Sequence, residues 1–125
     1  MMPRSVDISI DEFFADAHLS RKIFKKVEKM TDSLEGVSRR ASRSQIVFRR
    51  RRDFAWAWIP GRYLKGKTAP LVLSVSLPDR DKSSRWKEIV QPSAGRFMHH
   101  LELHKPSDVD QTVKQWLYDA WEAAE

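Results

Sequence analysis

Residues 44–58, SQIVFRRRRDFAWAW, constrain the fold more than any other stretch. Two apolar runs with strand-like alternation flank four consecutive arginines, Arg49 to Arg52. The pattern predicts strands over residues 45–48 and 54–59, with residues 49–53 turning the chain between them. No Asn-Gly or Asp-Gly pair stands at the turn, so a loop longer than the two-residue hairpin is expected. Successive side chains on a strand face opposite ways. Ile46 and Phe48 therefore share a face, with Val47 behind them. On the return strand Phe54, Trp56 and Trp58 oppose Ala55, Ala57 and Ile59. The aromatic trio carries far more apolar surface, so it is expected to form the inner face of the sheet beneath the helices.

The rest of the chain supplies partners for this hairpin. Ser9 and Glu12 have capping-box spacing, predicting a short helix over residues 10–17 anchored by Phe13 and Phe14. From Ser20, a plausible N-cap, Ile23, Phe24, Val27, Met30 and Leu34 stack on one helix face, and Gly36 stands where a left-handed C-cap is expected. Residues 37–41 read as a polar edge strand. Residues 62–69 read as a basic loop pivoting on Gly66. Leu71, Leu73, Val75 and Leu77 alternate with Val72, Ser74 and Ser76 as a strand that Pro78 ends. Ser84 is expected to cap a short helix carrying Trp86, Ile89 and Val90, with residues 92–95 as a turn. Residues 96–103 form a last strand, with Phe97, His99, Leu101 and Leu103 on its apolar side. After Pro106, with Ser107 and Asp110 as a weak capping pair, Val109, Val113, Trp116, Leu117, Ala120, Trp121 and Ala124 make the stripe of a closing helix.

This order has no regular βαβ alternation. It predicts an α+β fold, an antiparallel sheet of about four to five strands with N- and C-terminal helices packed on one face. Residues 20–125 read as a single domain, and residues 1–19 as an N-terminal segment packing on it.

At 125 residues and 41% hydrophobic content the chain can fill one core. Cysteine is absent, which excludes a disulfide framework, a thiolate metal site and a cysteine nucleophile, and fits a reducing compartment. No apolar run approaches the roughly 20 residues of a membrane helix, and the opening MMPRSVDISIDEFF lacks the features of a secretory signal. A cytoplasmic chain without membrane association is expected. Charge is polarised: residues 39–67 hold ten basic side chains against the single acid Asp53, a local +9 within a net +6. Such a field attracts polyanions.

Taken together, SQIVFRRRRDFAWAW, APLVLSVSLP, RWKEIVQPSAGRFMHHLEL and the Trp-Leu-containing last helix resemble a bacterial family labelled domain of unknown function 5655. The resemblance runs from about Ser9 to the C-terminus. Its most specific block is the ordered set Gly95, Arg96, Phe97, His99 and His100. The family has no established activity, so the resemblance implies a shared fold and no catalytic residues.

Three readings of function follow. The leading one is a non-enzymatic module binding nucleic acid or another polyanion through Arg49, Arg50, Arg51, Arg52, Arg62, Lys65 and Lys67, since guanidinium groups pair bidentately with phosphate. On that reading, replacing Arg50 and Arg51 with alanine weakens binding and leaves the fold nearly unchanged. Arginines that merely keep a sheet edge soluble are the bland counterpart. The second reading is a small-molecule or regulatory domain with a pocket near Trp86, Arg96, His99 and His100. The third is a protein-interaction module using the polar edge strand or the terminal helix. His100, Glu102 and His104 share a strand face but match no strong metal signature, so no metal or cofactor is expected. An enzymatic site would gather Arg96, His99 and His100 with Asp79, Asp81 or Glu88. Without a GxSxG, Walker, dinucleotide or HExxH motif, the chain leans non-enzymatic.

Overall fold

A single antiparallel sheet carries the fold, in the order β1-β2-β3-β4-β6-β5. Its strands are β1 (Ser38–Ala41), β2 (Ile46–Arg49), β3 (Asp53–Trp58), β4 (Leu71–Leu77), β5 (Glu88–Ser93) and β6 (Arg96–Leu103). The structure, a computed structural model, describes residues 7–125. Among them α1 (Ile10–Phe13), α2 (His18–Asp32) and α3 (Gln111–Ala123) are the α-helices. Helices α2 and α3 bury Ile23, Phe24, Val27, Val113, Trp116 and Leu117 against one sheet face. The α+β class and the one-sided helix layer are as expected.

Local chemistry sets the helix ends. The capping box at α1 is formed: the Glu12 N–H donates to Ser9 Oγ at 3.0 Å and the Ser9 N–H to Glu12 Oε1 at 3.3 Å. Helix α2 begins at His18, so Ser20 is not its cap. The buried Ser20 hydroxyl instead donates to the Pro70 carbonyl at 2.6 Å, tying α2 to the β3–β4 loop. Asp110, rather than Ser107, caps α3 by accepting from the Val113 N–H. Arg85 holds both Asp110 oxygens at 3.0 and 3.1 Å and keeps that carboxyl ionised below its usual range, although burial acts in the opposite sense.

Among the described residues six strands stand where four to five were expected, because residues 88–93 are a strand rather than a helix. Ile89 and Val90 are β-branched and pair with His99 and Met98 of β6. A register shift between Val90 and Ser93 absorbs Gln91 and Pro92, which an edge strand tolerates.

The larger correction concerns β3. Ala55, Ala57 and Ile59 face the helices, while Trp56 and Trp58 lie half-buried on the opposite face. Phe54 alone of the trio is in the core, beside a bulge at Phe48/Arg49 that breaks the strict alternation. The cause is volume. A line of phenylalanines, Phe13, Phe14, Phe24, Phe48 and Phe54, crosses the covered face with successive ring centroids 4.9–6.5 Å apart. Phe48 is paired directly with Ala55. A second large ring there would overfill the layer.

Candidate nucleic-acid interface on the open sheet face

The face opposite the helices is built from one residue in two of each strand. A single row crosses all six strands through paired positions: Arg40, Val47, Trp56, Ser74, His100 and Glu88. The next row carries Trp58, Val72 and Glu102. The row is basic at the β1 edge and acidic at the β5 edge.

The two indoles lie beside β4, where Val72 and Ser74 are only 5% and 3% exposed. Trp58 Nε1–H donates to Ser74 Oγ at 3.1 Å, and Ser74 Oγ lies 2.6 Å from His100 Nδ1. An indole nitrogen only donates, so Ser74 accepts from Trp58, while the direction of its bond with His100 Nδ1 follows the His100 tautomer. Burial lowers the His100 pKa against the opposing pull of Glu88, which favours the neutral ring. Ser74 is buried and bridges the Trp58 and His100 rings.

The expected arginine patch is divided by the fold. Arg50 stacks over the Trp121 ring at 3.9 Å and donates to the Trp121 carbonyl at 3.1 Å. Arg52 donates to the Ala123 carbonyl, and the Arg51 backbone N–H to the Ala124 carbonyl at 3.3 Å. The hairpin thereby satisfies the carbonyl end of α3, where positive charge also opposes the helix dipole. Arg49 pairs with Asp53 at 3.1 Å. Arg62 donates to the Phe13 carbonyl and lies over its ring. The side chains of Arg51, Lys65 and Lys67 are exposed and form no ion pair among the described residues.

One consequence revises the expectation for the Arg50 and Arg51 pair. Arg50→Ala should lower stability by about 1–2 kcal/mol through loss of the cation–π contact and the carbonyl bond. Arg51→Ala should change it by less than about 0.5 kcal/mol. Urea midpoints of the two single variants check this; equal midpoints would refute the structural role of Arg50.

The four residues expected to line a pocket do not converge. His99 is fully buried on the helix side, and His100 lies on the open side. Trp86 is wedged between His99 and Trp116, at ring centroid distances of 4.8 and 4.0 Å. Arg96 is exposed beside Gly95, in the turn between β5 and β6 where Gly95 has φ +72°. Asp81 belongs to the His99 cluster: its N–H donates to His99 Nε2 at 3.0 Å, and its carboxylate accepts from Trp86 Nε1–H at 2.8 Å. No group of three or more metal-ligating side chains converges among the described residues, and no helix there is long and apolar enough to cross a membrane.

The class is thus an α+β domain with one sheet face roofed by helices and the other tryptophan-bearing and, among the described residues, without a helix over it. The chain belongs to the family described as Domain of unknown function (DUF5655), whose model matches residues 10–124. No curated protein and no solved structure matches it.

Proposed function

We propose that this domain is a non-enzymatic module that binds single-stranded nucleic acid along β3. The observation that carries this reading is the pair Trp56 and Trp58, adjacent on the uncovered face of one strand. Residues two apart on a strand lie roughly 7 Å apart, a spacing at which two unstacked bases can each lie on an indole. Exposed cations stand beyond both ends of β3: Arg51 in the hairpin before it, Lys65 and Lys67 in the loop after it. A backbone running along β3 therefore meets positive charge on both sides of the stacking platform. Glu88 at the β5 edge repels phosphates, while Glu102 is paired with Lys87 at 3.8 Å, so the track favours the β1–β4 half. A metabolite pocket at Trp86 and His99 is the weaker reading, because those rings pack on each other and on Trp116.

Fluorescence anisotropy with labelled single-stranded and duplex DNA and RNA, at two salt concentrations, tests the proposal. Single strands should bind and duplexes should bind more weakly, since paired bases cannot be splayed onto the indoles. Affinity should fall with salt by a slope near −0.7 per phosphate neutralised, roughly −2 for three cations. Absence of binding at low salt, or a preference for duplex, would overturn it.

A further inference from the structure

At the hairpin end of the open face lies a cavity of about 250 Å³. It is bounded by the arginine hairpin, the end of β4, the β5–β6 turn and the last turn of α3. Its polar lining comprises Arg49, Arg52, Arg96, Asp53 and Ser76, and Trp56 and Phe54 supply aromatic wall. The fold thus unites two arginines from the hairpin with one from the far side of the sheet, residues separated by more than forty positions in the chain.

The charge balance favours an anion. Three guanidinium groups face one carboxylate, and that carboxylate is paired with Arg49. Arg52 donates one of its five N–H groups to the Ala123 carbonyl, so four remain. Arg96 has no ion-pair partner among the described residues. The partial negative charge at the end of α3 is answered by the bonds from Arg50, Arg52 and the Arg51 N–H.

Size narrows the ligand. The cavity falls below the roughly 300 Å³ at which pockets for drug-sized molecules begin. It suits a compact anionic group. Trp56 is shared between the stacking platform and the cavity wall, so a strand stacked on that indole has its next phosphate at the cavity mouth. A phosphate at a chain end is a monoester with a charge of about −1.5 to −2 at neutral pH, against −1 for an internal diester. The extra charge and oxygen are what three arginines would select.

We infer that this cavity is a subsite for a terminal phosphate of the bound strand, so that the domain recognises a phosphorylated end. The inference rests on the binding track proposed above and adds to it a preference the track alone does not have. The test is competition against a labelled single strand by three unlabelled hexanucleotides of one sequence: both ends hydroxyl, 5′-phosphate only, and 3′-phosphate only. One phosphorylated form should compete about tenfold better than the bare form, a gain of the size of one charge-assisted hydrogen-bonded contact. Arg96→Ala should erase that increment and change the bare oligonucleotide's affinity less than twofold. Arg96 is exposed and makes no ion pair among the described residues, so circular dichroism and the thermal midpoint should match the parent. Equal competition by all three oligonucleotides would remove the end subsite and leave the track standing. An increment that survives in Arg96→Ala would remove this cavity as its source. Failure of every oligonucleotide to bind would remove the track itself.

Discussion

His99→Leu should be among the most destabilising single substitutions in this domain. His99 is fully buried, and both ring nitrogens are engaged: Nδ1 donates to the Phe97 carbonyl at 3.0 Å and Nε2 accepts from the Asp81 N–H at 3.0 Å. Leucine fills a similar volume but pairs with neither group. Each buried polar group left unpaired costs about 1–3 kcal/mol. Loss of the anchor also frees Asp81, whose carboxylate holds the Trp86 indole and the Ser83 N–H. Burial raises the Asp81 pKa, but those two bonds, together with the Trp116 side chain and the nearby His99, outweigh it and lower the value. A total of several kcal/mol is a large fraction of the roughly 5–15 kcal/mol that a domain possesses. Chemical denaturation at neutral pH should show it as a lowered midpoint with unchanged slope.

The same residue sets a pH signature. Burial lowers the His99 pKa, with weaker opposition from the Phe97 carbonyl and Asp81. Below about pH 6.5 the unfolded chain takes up a proton that folded His99 does not, so stability falls as pH falls from there. Burial acts in the same direction on His100. Stability of the parent should therefore decline from about pH 6.5 downward, and His99→Leu should decline less steeply without becoming flat. Asp81 contributes in a lower window: its advantage is full above the unfolded carboxyl value of about 3.9 and is lost only as pH falls on through the lower folded value. A parent whose stability is flat between about pH 5 and 6.5 would contradict the buried neutral histidine.

The elements legible in the sequence were those whose period is imposed by burial on one side. The alternation of Leu71, Leu73, Val75 and Leu77 gave β4, that of Phe97, His99, Leu101 and Leu103 gave β6, and the stripe from Val113 to Ala120 gave α3. What alternation does not encode is which of two apolar faces is inside. On β3 both faces qualified, and bulk alone argued for the tryptophans. The decision lay in Phe48, which is opposite Ala55 and fills the volume over it, a pairing visible only once register is known. A hint was present in β4 and β6, where Ser74, His100 and Glu102 mark one face as polar; Trp56 and Trp58 share that face. The arginine run was legible as a surface feature but not as a cap. Its partners, the Trp121 and Ala123 carbonyls, lie seventy-one residues away. For the same reason sequence proximity placed Arg49 and Arg96 in different candidate sites, although they line one cavity.

The face assignment of β3 yields the largest expected effect on binding. On the proposed binding track, truncating a side chain on which a base stacks costs about 1–3 kcal/mol per base, so Trp56→Ala with Trp58→Ala should weaken single-strand binding by about a hundredfold or more. The fold should survive, because both indoles are only half-buried while the covered face retains Ala55, Ala57 and Phe48. Trp58→Phe separates the two roles of that residue: it keeps a stacking ring and removes the hydrogen bond to Ser74, so binding should fall only slightly. Salt dependence then distinguishes stacking from charge. An indole releases no counterion, so the double tryptophan variant should lose affinity by the same factor at both salt concentrations, whereas Arg51→Ala should reduce the slope by roughly one phosphate's share. A folded double variant that binds like the parent would leave the open face without a role in recognition. Retention of binding together with a flattened salt slope in Arg51→Ala would instead place recognition on the hairpin alone.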